Sequence, residues 1–359
     1  MDQSQREAAD FEGGRDSGIP TLEIVLGPLT MAAHLRRILP QRCGSVREVR
    51  TQILKRHRTR CTFEIQWRDG RGSQALIGKV YGAERGDVFD AMDAVRLAGF
   101  GPDETFSIPQ PLAYDPELNL LLLEKVDGLR AKEVLLSGTQ RERVKAAEQC
   151  ARWLARFQAL GPKLGEATRV HDVLEWVDEW FQPFHTANGE LAGAANRLRE
   201  QLEAAAGRLE TSELCASHGH FTSGQVLMTE GRPVVVDSAI ALGLTGVEVL
   251  SEERTVAIDW DDATVADPCL DAASFVVHLN REGLDSPEAR AALRQAADVF
   301  LKTYLSRRGR HAGRNLPFYA AVRCLRLASR DIEKHNLTRA ASMLEEGLRI
   351  LKDGLSSCL

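Results

Sequence analysis

The stretch "AIDWDDATVADPCLD", Ala257 to Asp271, decides how this chain is read. An apolar run ends there on Asp259, so a strand would present one carboxylate at the edge of the core. A carboxylate in a cleft can hold Mg2+, a hard ion that takes oxygen ligands and shares them with phosphates. Asp261, Asp262, Asp267 and Asp271 follow closely. Asp267 stands before Pro268 and Asp271 three residues beyond that proline, so both read first as helix-start acids. For Asp261 and Asp262, plain solvent exposure and a role at a site are both open.

Upstream lies "SHGHFTSGQVL", Ser217 to Leu227, with His218, His220 and Gln225. Two histidines two apart could suggest a metal pair, but no third ligand is evident, which argues against zinc. Gln225 precedes Asp259 by 34 positions. A rival acid, Asp237 in "PVVVDS", follows Gln225 by only 12.

The rest of the chain supplies a setting for these two segments. Residues 1 to 18 are polar, without the apolar core of a signal peptide, and read as a loose tail. Residues 21 to 40 read as a short strand and a helix. Residues 46 to 81 are the clearest β region: "CTFEIQW" alternates, "RDGRG" turns, and "QALIGKVY" returns with Ala75, Ile77, Lys79 and Tyr81 on one face. A helical pattern follows over 86 to 98, then a Pro-marked loop and an apolar strand, Leu118 to Leu123, closing near Gly128. Beyond about residue 129 helical patterns dominate. "RERVKAAEQCARWLARFQAL" sets Val144, Ala147, Ala151, Leu154 and Phe157 near one face. Three further helical patterns fill 270 to 353, one opened by Ser or Asp before Pro287. Residues 215 to 263 form a β island among them.

The chain of 359 residues is long enough for two lobes, and its net charge of -5 argues against a dedicated nucleic-acid binder. No apolar run approaches the roughly 18–20 residues of a membrane span. Seven cysteines, an odd count with no C-x-x-C pair, fit a reducing cytoplasm. Residues 36 to 60 hold nine Lys or Arg and one acid, Glu48. This basic hairpin, "LKRHRTR" included, is either a solvated surface or a substitute for a phosphate-binding loop. It lacks the interleaved aromatics of a nucleic-acid platform.

Together "HGHFTSGQVL" and "IDWDDATVADPCLDAASFVVHL" resemble the aminoglycoside phosphotransferase and choline kinase-like family. That family's hallmark is H-G-D-x-x-x-x-N, a strand ending in Asp, then G-D-P-x-x-D. "IGKVY", "IPQPLAY", "LLLLEKVDG" and "CARWLARFQALG" follow its order, and the resemblance spans roughly residues 50 to 285. It implies an α+β, protein kinase-like two-lobed fold: a nucleotide-binding lobe over 19–127 and a helical lobe over 128–359, with the catalytic-loop region at 215–271. Carried over by position, Lys79 would touch the ATP phosphates. Glu124, Lys125 and Val126 would form the hinge for adenine. Asp259 and Gln225 would hold Mg2+. Asp90 and Asp93 are the candidates for the helix acid that holds the lysine. The phosphate acceptor would be a hydroxyl of a small molecule such as an aminoglycoside, sugar or amino alcohol. Trp176, Trp180 and Phe181 are candidates to shape its site or to serve as core. A homodimer or a protein partner is left open.

The departures from the pattern are as informative. His220 stands where the family has its catalytic Asp, and Gln225 where it has a metal-binding Asn. A neutral imidazole can accept a proton but cannot supply an anion. His218 is expected to be structural, bonding backbone to hold the loop. An added hairpin of about twenty residues before Asp259 competes with the reading in which Asp237 has taken over. The chain is accordingly expected to be an ATP- and Mg2+-dependent phosphotransferase. The alternative is a kinase-like protein without catalysis that binds a nucleotide or metabolite and acts through a partner.

Overall fold

In the computed structural model the described residues are 18–355, apart from 71, 188, 230–232, 235–249 and 252. The chain divides into two compact units. One comprises residues through Asp90 with Gln110–Lys125; the other comprises Ala91–Pro109 with Val126 onward.

The first unit opens with helices α1 (Leu22–Leu26) and α2 (Pro28–Ile38) and a short turn of helix, α3 (Pro40–Cys43). A strand was expected at residue 21 because "LEIVL" is rich in β-formers. The chain forms a helix instead, because Leu22 and Val25, three apart, then face the same core, and Gly27-Pro28 ends one helix and starts the next. Thr21 fixes the entry by donating its hydroxyl to the Leu118 carbonyl at 2.8 Å.

A five-stranded antiparallel sheet follows, built from β1 (Arg50–Arg56), β2 (Arg60–Asp69), β3 (Gly72–Tyr81), β5 (Pro111–Asp115) and β6 (Leu120–Glu124). Its order is β1-β2-β3-β6-β5. Alternation sorts the two faces. Phe63, Ile65, Leu76, Val80, Leu120 and Leu122 are buried with Met31 and Leu35 of α2. Gly78 must be small, since a Cβ there would come within 2.6 Å of the Phe63 ring. Lys79 points to the opposite face, paired in register with Thr62 and Leu121, and is only 7% exposed. The β1–β2 turn is the basic tip His57–Thr59, closed by the His57 amide donating to the Arg60 carbonyl at 2.8 Å.

Helix α4 (Gly86–Val95) leads toward the second unit. There β4 (Phe106–Ser107), β7 (Leu129–Arg130), β9 (Val226–Thr229) and β12 (Arg254–Ala257) form a four-stranded sheet, ordered β4-β12-β9-β7. Strand β8 (Cys215–Ser217) pairs with β13 (Thr264–Ala266). The helices are α5 (Ala131–Ser137), α6 (Gln140–Leu160), α7 (Val170–Phe181), α8 (Gly189–Ala206), α9 (Cys269–Asp285), α10 (Arg290–Arg308), α11 (Leu316–Glu333) and α12 (Leu337–Asp353).

Four helices, not three, therefore fill the C-terminal part. Asn336 makes the last break by accepting from the Arg339 amide at 3.2 Å, capping α12. Pro287 lies in a turn that precedes α10 rather than at its first position. Aromatic rings form the centre of this unit. Trp153 of α6 stacks on Phe221 at 5.4 Å, and Phe221 on Phe275 of α9 at 5.7 Å. Among the described residues no helix is long and apolar enough to cross a membrane.

Candidate functional site

The loop from Ser217 to Gln225 links β8 to β9, and its backbone is anchored from outside. Asp271, fully buried in the first turn of α9, accepts three hydrogen bonds from it. Its Oδ2 receives the His218 amide at 2.7 Å and the Ser217 hydroxyl at 2.9 Å, and its Oδ1 the Phe221 amide at 3.3 Å. The helix-start reading of Asp271 therefore misses its main work: both oxygens serve the loop. The same reading holds for Asp267, which accepts from the Cys269 amide at 2.8 Å. Asp267 also receives Ser212 at 2.6 Å and Asn315 at 2.8 Å.

His218 is structural in this arrangement. It is fully buried, its Nε2 lies 3.0 Å from the Ile258 carbonyl, and its ring packs 4.8 Å from Trp260. Gly219 follows with φ +77, and a Cβ there would stand 2.0 Å from the Asp262 carbonyl oxygen. Only glycine takes that conformation beside that carbonyl without strain. Phe221 pins the loop to the aromatic core. The turn ends with the Gln225 amide donating to the Thr222 carbonyl at 3.0 Å.

Strands β9 and β12 then bring Asp259 back to Gln225. Their antiparallel register pairs Val226 with Ala257 and Thr229 with Arg254. Further along, β10 (Pro233–Val234) and β11 (Leu250–Ser251) form a separate antiparallel pair, Pro233 with Ser251 and Val234 with Leu250. The described ends of the span before Asp259 are thus paired antiparallel. Asp237 lies outside the described residues. The Ile258 amide donates to the Gln225 carbonyl at 2.9 Å, and Asp259 follows with φ +70, a left-handed backbone uncommon for a non-glycine residue.

Three expected site residues meet here. Gln225 Nε2 lies 3.3 Å from Asp259 Oδ2 and 3.2 Å from His220 Nδ1, while Gln225 Oε1 accepts from the Thr222 hydroxyl at 3.1 Å. The amide donor leaves His220 Nδ1 as the acceptor, so its proton sits on Nε2. That atom is sealed from solvent and has no hydrogen-bond partner. Burial first, then the positive field of Arg323, holds the imidazole pKa far below its usual value. His220 is therefore neutral, but it is also a very weak base. The ring of His278 lies 5.3 Å away, its own pKa lowered to about 3 by burial and Arg323.

Among the described residues, no group of three or more His, Cys, Asp and Glu side chains is placed to hold a metal unaided. The available oxygen donors are the Asp259 carboxylate and the Gln225 amide. Turning that amide by 180° would direct Oε1 toward Asp259 and return its nitrogen to Thr222, whose hydroxyl can accept. His220 would then shift its proton to Nδ1 and donate. This set fits an Mg2+ ion that takes its remaining ligands from phosphates and water.

The other candidates lie in or beside the first unit. Glu124 accepts the Gln110 amide at 3.1 Å through Oε2, and Lys125 pairs with Glu64 at 2.9 Å. Both side chains therefore have partners within the first unit. Asp90 is exposed, and Asp93 pairs with Arg96 at 2.7 Å. Asp261 is buried rather than solvent-facing, whereas Asp262 is exposed.

The model of the phosphotransferase enzyme family matches residues 82–237. That span holds His220 and Gln225 and ends on Asp237, so Lys79 and Asp259 lie outside it. A choline/ethanolamine kinase family protein from Mesorhizobium loti aligns with a TM-score of 0.54 at 14% identity, covering 90% of this chain and 97% of its own. A choline kinase from Cryptosporidium parvum gives 0.60 at 13%, covering 91% and 96%. A thermostable mutant of an aminoglycoside phosphotransferase gives 0.57 at 16%, covering 89% and 99%.

This is the protein kinase-like phosphotransferase fold. The resemblance read from the two motifs is to that family. No curated protein matches the chain. Within the phosphotransferase fold, one group escaped the sequence reading: Arg323, Arg326 and Arg330 on α11. The signal was present in "RCLRLASR", where arginines recur at helical spacing in an otherwise apolar helix.

Proposed function

We propose that this chain is a phosphotransferase that moves a phosphoryl group from ATP, with Mg2+, to a hydroxyl of a small molecule. The observation that carries the reading is the meeting of Asp259 and Gln225 beside a loop that Asp271 holds at the His218 and Phe221 amides. Asp259 and Gln225 of the helical lobe over 128–359 would hold the ion, and Lys79 of the nucleotide lobe over 19–127 the nucleotide phosphates. The nucleotide and ion would supply the transferable group and neutralise its charge. His220 would donate from Nδ1 to the turned Gln225 amide and so help to hold that metal ligand; its Nε2, sealed from solvent, would not take the hydroxyl's proton. A base of ordinary strength contributes about 10²–10⁴ in rate, so turnover is expected to be slow by roughly that factor.

One observation favours a second reading. The direct Gln225–Asp259 bond and the weak basicity of His220 also suit a protein that binds nucleotide without transfer. Thermal shift with ATP, with and without Mg2+, followed by ATP turnover against a panel of alcohols, separates the two. Mg2+-dependent binding with turnover that Asp259→Ala abolishes supports the enzyme. Binding without turnover, with activity gained in His220→Asp, supports the second reading. No nucleotide binding at all removes both.

A further inference from the structure

The acceptor's charge can be argued from α11, within the second unit alone. Arg323, Arg326 and Arg330 recur at i, i+3 and i+7, which places them on one face of the helix. Arg323 is buried and donates through Nη2 to the Gly219 carbonyl at 3.2 Å, one residue before His220. Arg326 lies over the Trp180 ring, its Cζ 4.6 Å from the centroid, and its Nε is sealed without a hydrogen-bond partner. Trp180 packs 5.9 Å from Trp176 on α7, and both rings are half-buried. Arg330, one turn further along, is exposed.

The nearby carboxylates offset this stripe only in part, since the hydrogen bonds and ion pairs of Asp271 and Asp331 go to groups other than Arg326 and Arg330. Asp271 has both oxygens committed to the loop. Asp331 is buried and held by Arg281 at 2.5 Å, with Arg339 beyond at 3.9 Å. Asp262 and Glu333 are the remaining acids that act on Arg326. At the centre, position 220 is a histidine and brings no carboxylate to the stripe. Two half-buried indoles beside guanidinium groups make a surface that receives a planar or ring-bearing molecule with an oxyanion. Guanidinium matches such an oxyanion with paired hydrogen bonds.

We propose that the acceptor is an anionic hydroxyl compound, a hydroxy acid or a sugar phosphate, whose carboxylate or phosphate is received by Arg326 and Arg330 beside Trp176 and Trp180. This rests on the phosphotransferase reading for the hydroxyl's fate, but the anion site can be tested without turnover. Isothermal titration of the full chain with D-gluconate, D-glucose 6-phosphate and choline gives three arms. Saturable binding of gluconate or of glucose 6-phosphate, weakening with added NaCl, is expected, and the tighter of the two identifies the carboxylate or the phosphate as the group read. Choline is expected not to bind. Removing one charge-assisted contact in Arg326→Gln should weaken the anion about 10-fold or more. Arg326→Lys should recover part of that loss. Arg330→Gln, at an exposed position, gives the same readout if Arg326→Gln does not fold. Choline binding in place of the anions, no saturable binding of either anion, or anion affinity unchanged in both glutamine variants overturns the proposal. ATP binding measured on the same samples keeps the two readings apart. Anion binding without ATP binding defeats the phosphotransferase reading alone, and ATP binding with choline but no anion defeats this inference alone.

Discussion

Asp271→Asn is the sharpest test of how the loop is held. The carboxylate accepts two donors on Oδ2, at 2.7 and 2.9 Å, and one on Oδ1, at 3.3 Å. Asparagine keeps one acceptor oxygen. The cheaper orientation leaves that oxygen on His218 and Ser217 and turns the NH2 group toward the Phe221 amide. Two charge-assisted bonds then become neutral, at about 0.5–1 kcal/mol each, and one buried backbone N–H loses its acceptor, at about 1–3 kcal/mol. The expected loss is about 2–5 kcal/mol, a large share of a typical stability of roughly 5–15 kcal/mol.

Urea denaturation of the variant, referenced to Glu345→Gln at an exposed position, measures the total. Amide hydrogen exchange at His218 and Phe221 measures where it falls. A variant as stable as the control, with exchange at both amides unchanged, would refute the claim that Asp271 holds the loop. Loss of stability with exchange raised elsewhere, but not at these two amides, would refute its locality.

Further outcomes follow from single contacts. Gly219→Ala adds a Cβ 2.0 Å from the Asp262 carbonyl at φ +77, so a loss of more than about 2 kcal/mol is expected in the same denaturation assay. Gly78→Ala pushes on the buried Phe63 ring from 2.6 Å and should cost about 1–3 kcal/mol; an unchanged melting temperature would contradict the packing described for the first unit. His278 has its pKa lowered to about 3, below the unfolded value near 6.5, so the unfolded chain binds the extra proton between those limits. Stability therefore rises with pH across that window, and this one group should remove about 2 kcal/mol between pH 6.5 and 5. In His278→Gln the urea midpoint should fall less steeply over that interval, and parallel pH profiles for the two proteins would disprove the assignment.

What could be read from the chain alone depended on whether the deciding contacts were local. Alternation over "CTFEIQW" and "QALIGKVY" fixes both strands and puts Lys79 on the face opposite Leu76 and Val80, because the pleat has a period of two. The loop and the Asp259 segment were legible as a pair only through their resemblance to a family's motifs. By contrast, "LEIVL" carries a β-rich composition that tertiary packing overrides, since Leu22 and Val25 reach one core only as a helix. Asp271 looks like a helix-start acid locally, and its actual partners lie 50 to 54 positions upstream. No short-range pattern encodes such a contact. The fourth C-terminal helix was missed because the break after Glu333 contains neither proline nor glycine; Asn336 makes it by capping.

These contacts also explain how the loop accommodates histidine at position 220. The residues that fix the loop's path are Asp271, His218, Gly219 and Phe221, and none of their bonds uses the side chain of residue 220. An acid at that position would face Arg323 and Arg326, the same groups that now depress the imidazole pKa. A histidine there is therefore compatible with the loop's backbone path and adds no carboxylate beside Arg323 and Arg326. The loop geometry and the charge it presents are set by different residues, so one can change without the other. If that separation holds, His220→Asp should retain the stability of the parent chain while weakening gluconate or glucose 6-phosphate, because its carboxylate would compete for the same guanidinium groups. An aspartate variant that binds the anions as well as the parent would show that the field at residue 220 does not extend to the acceptor.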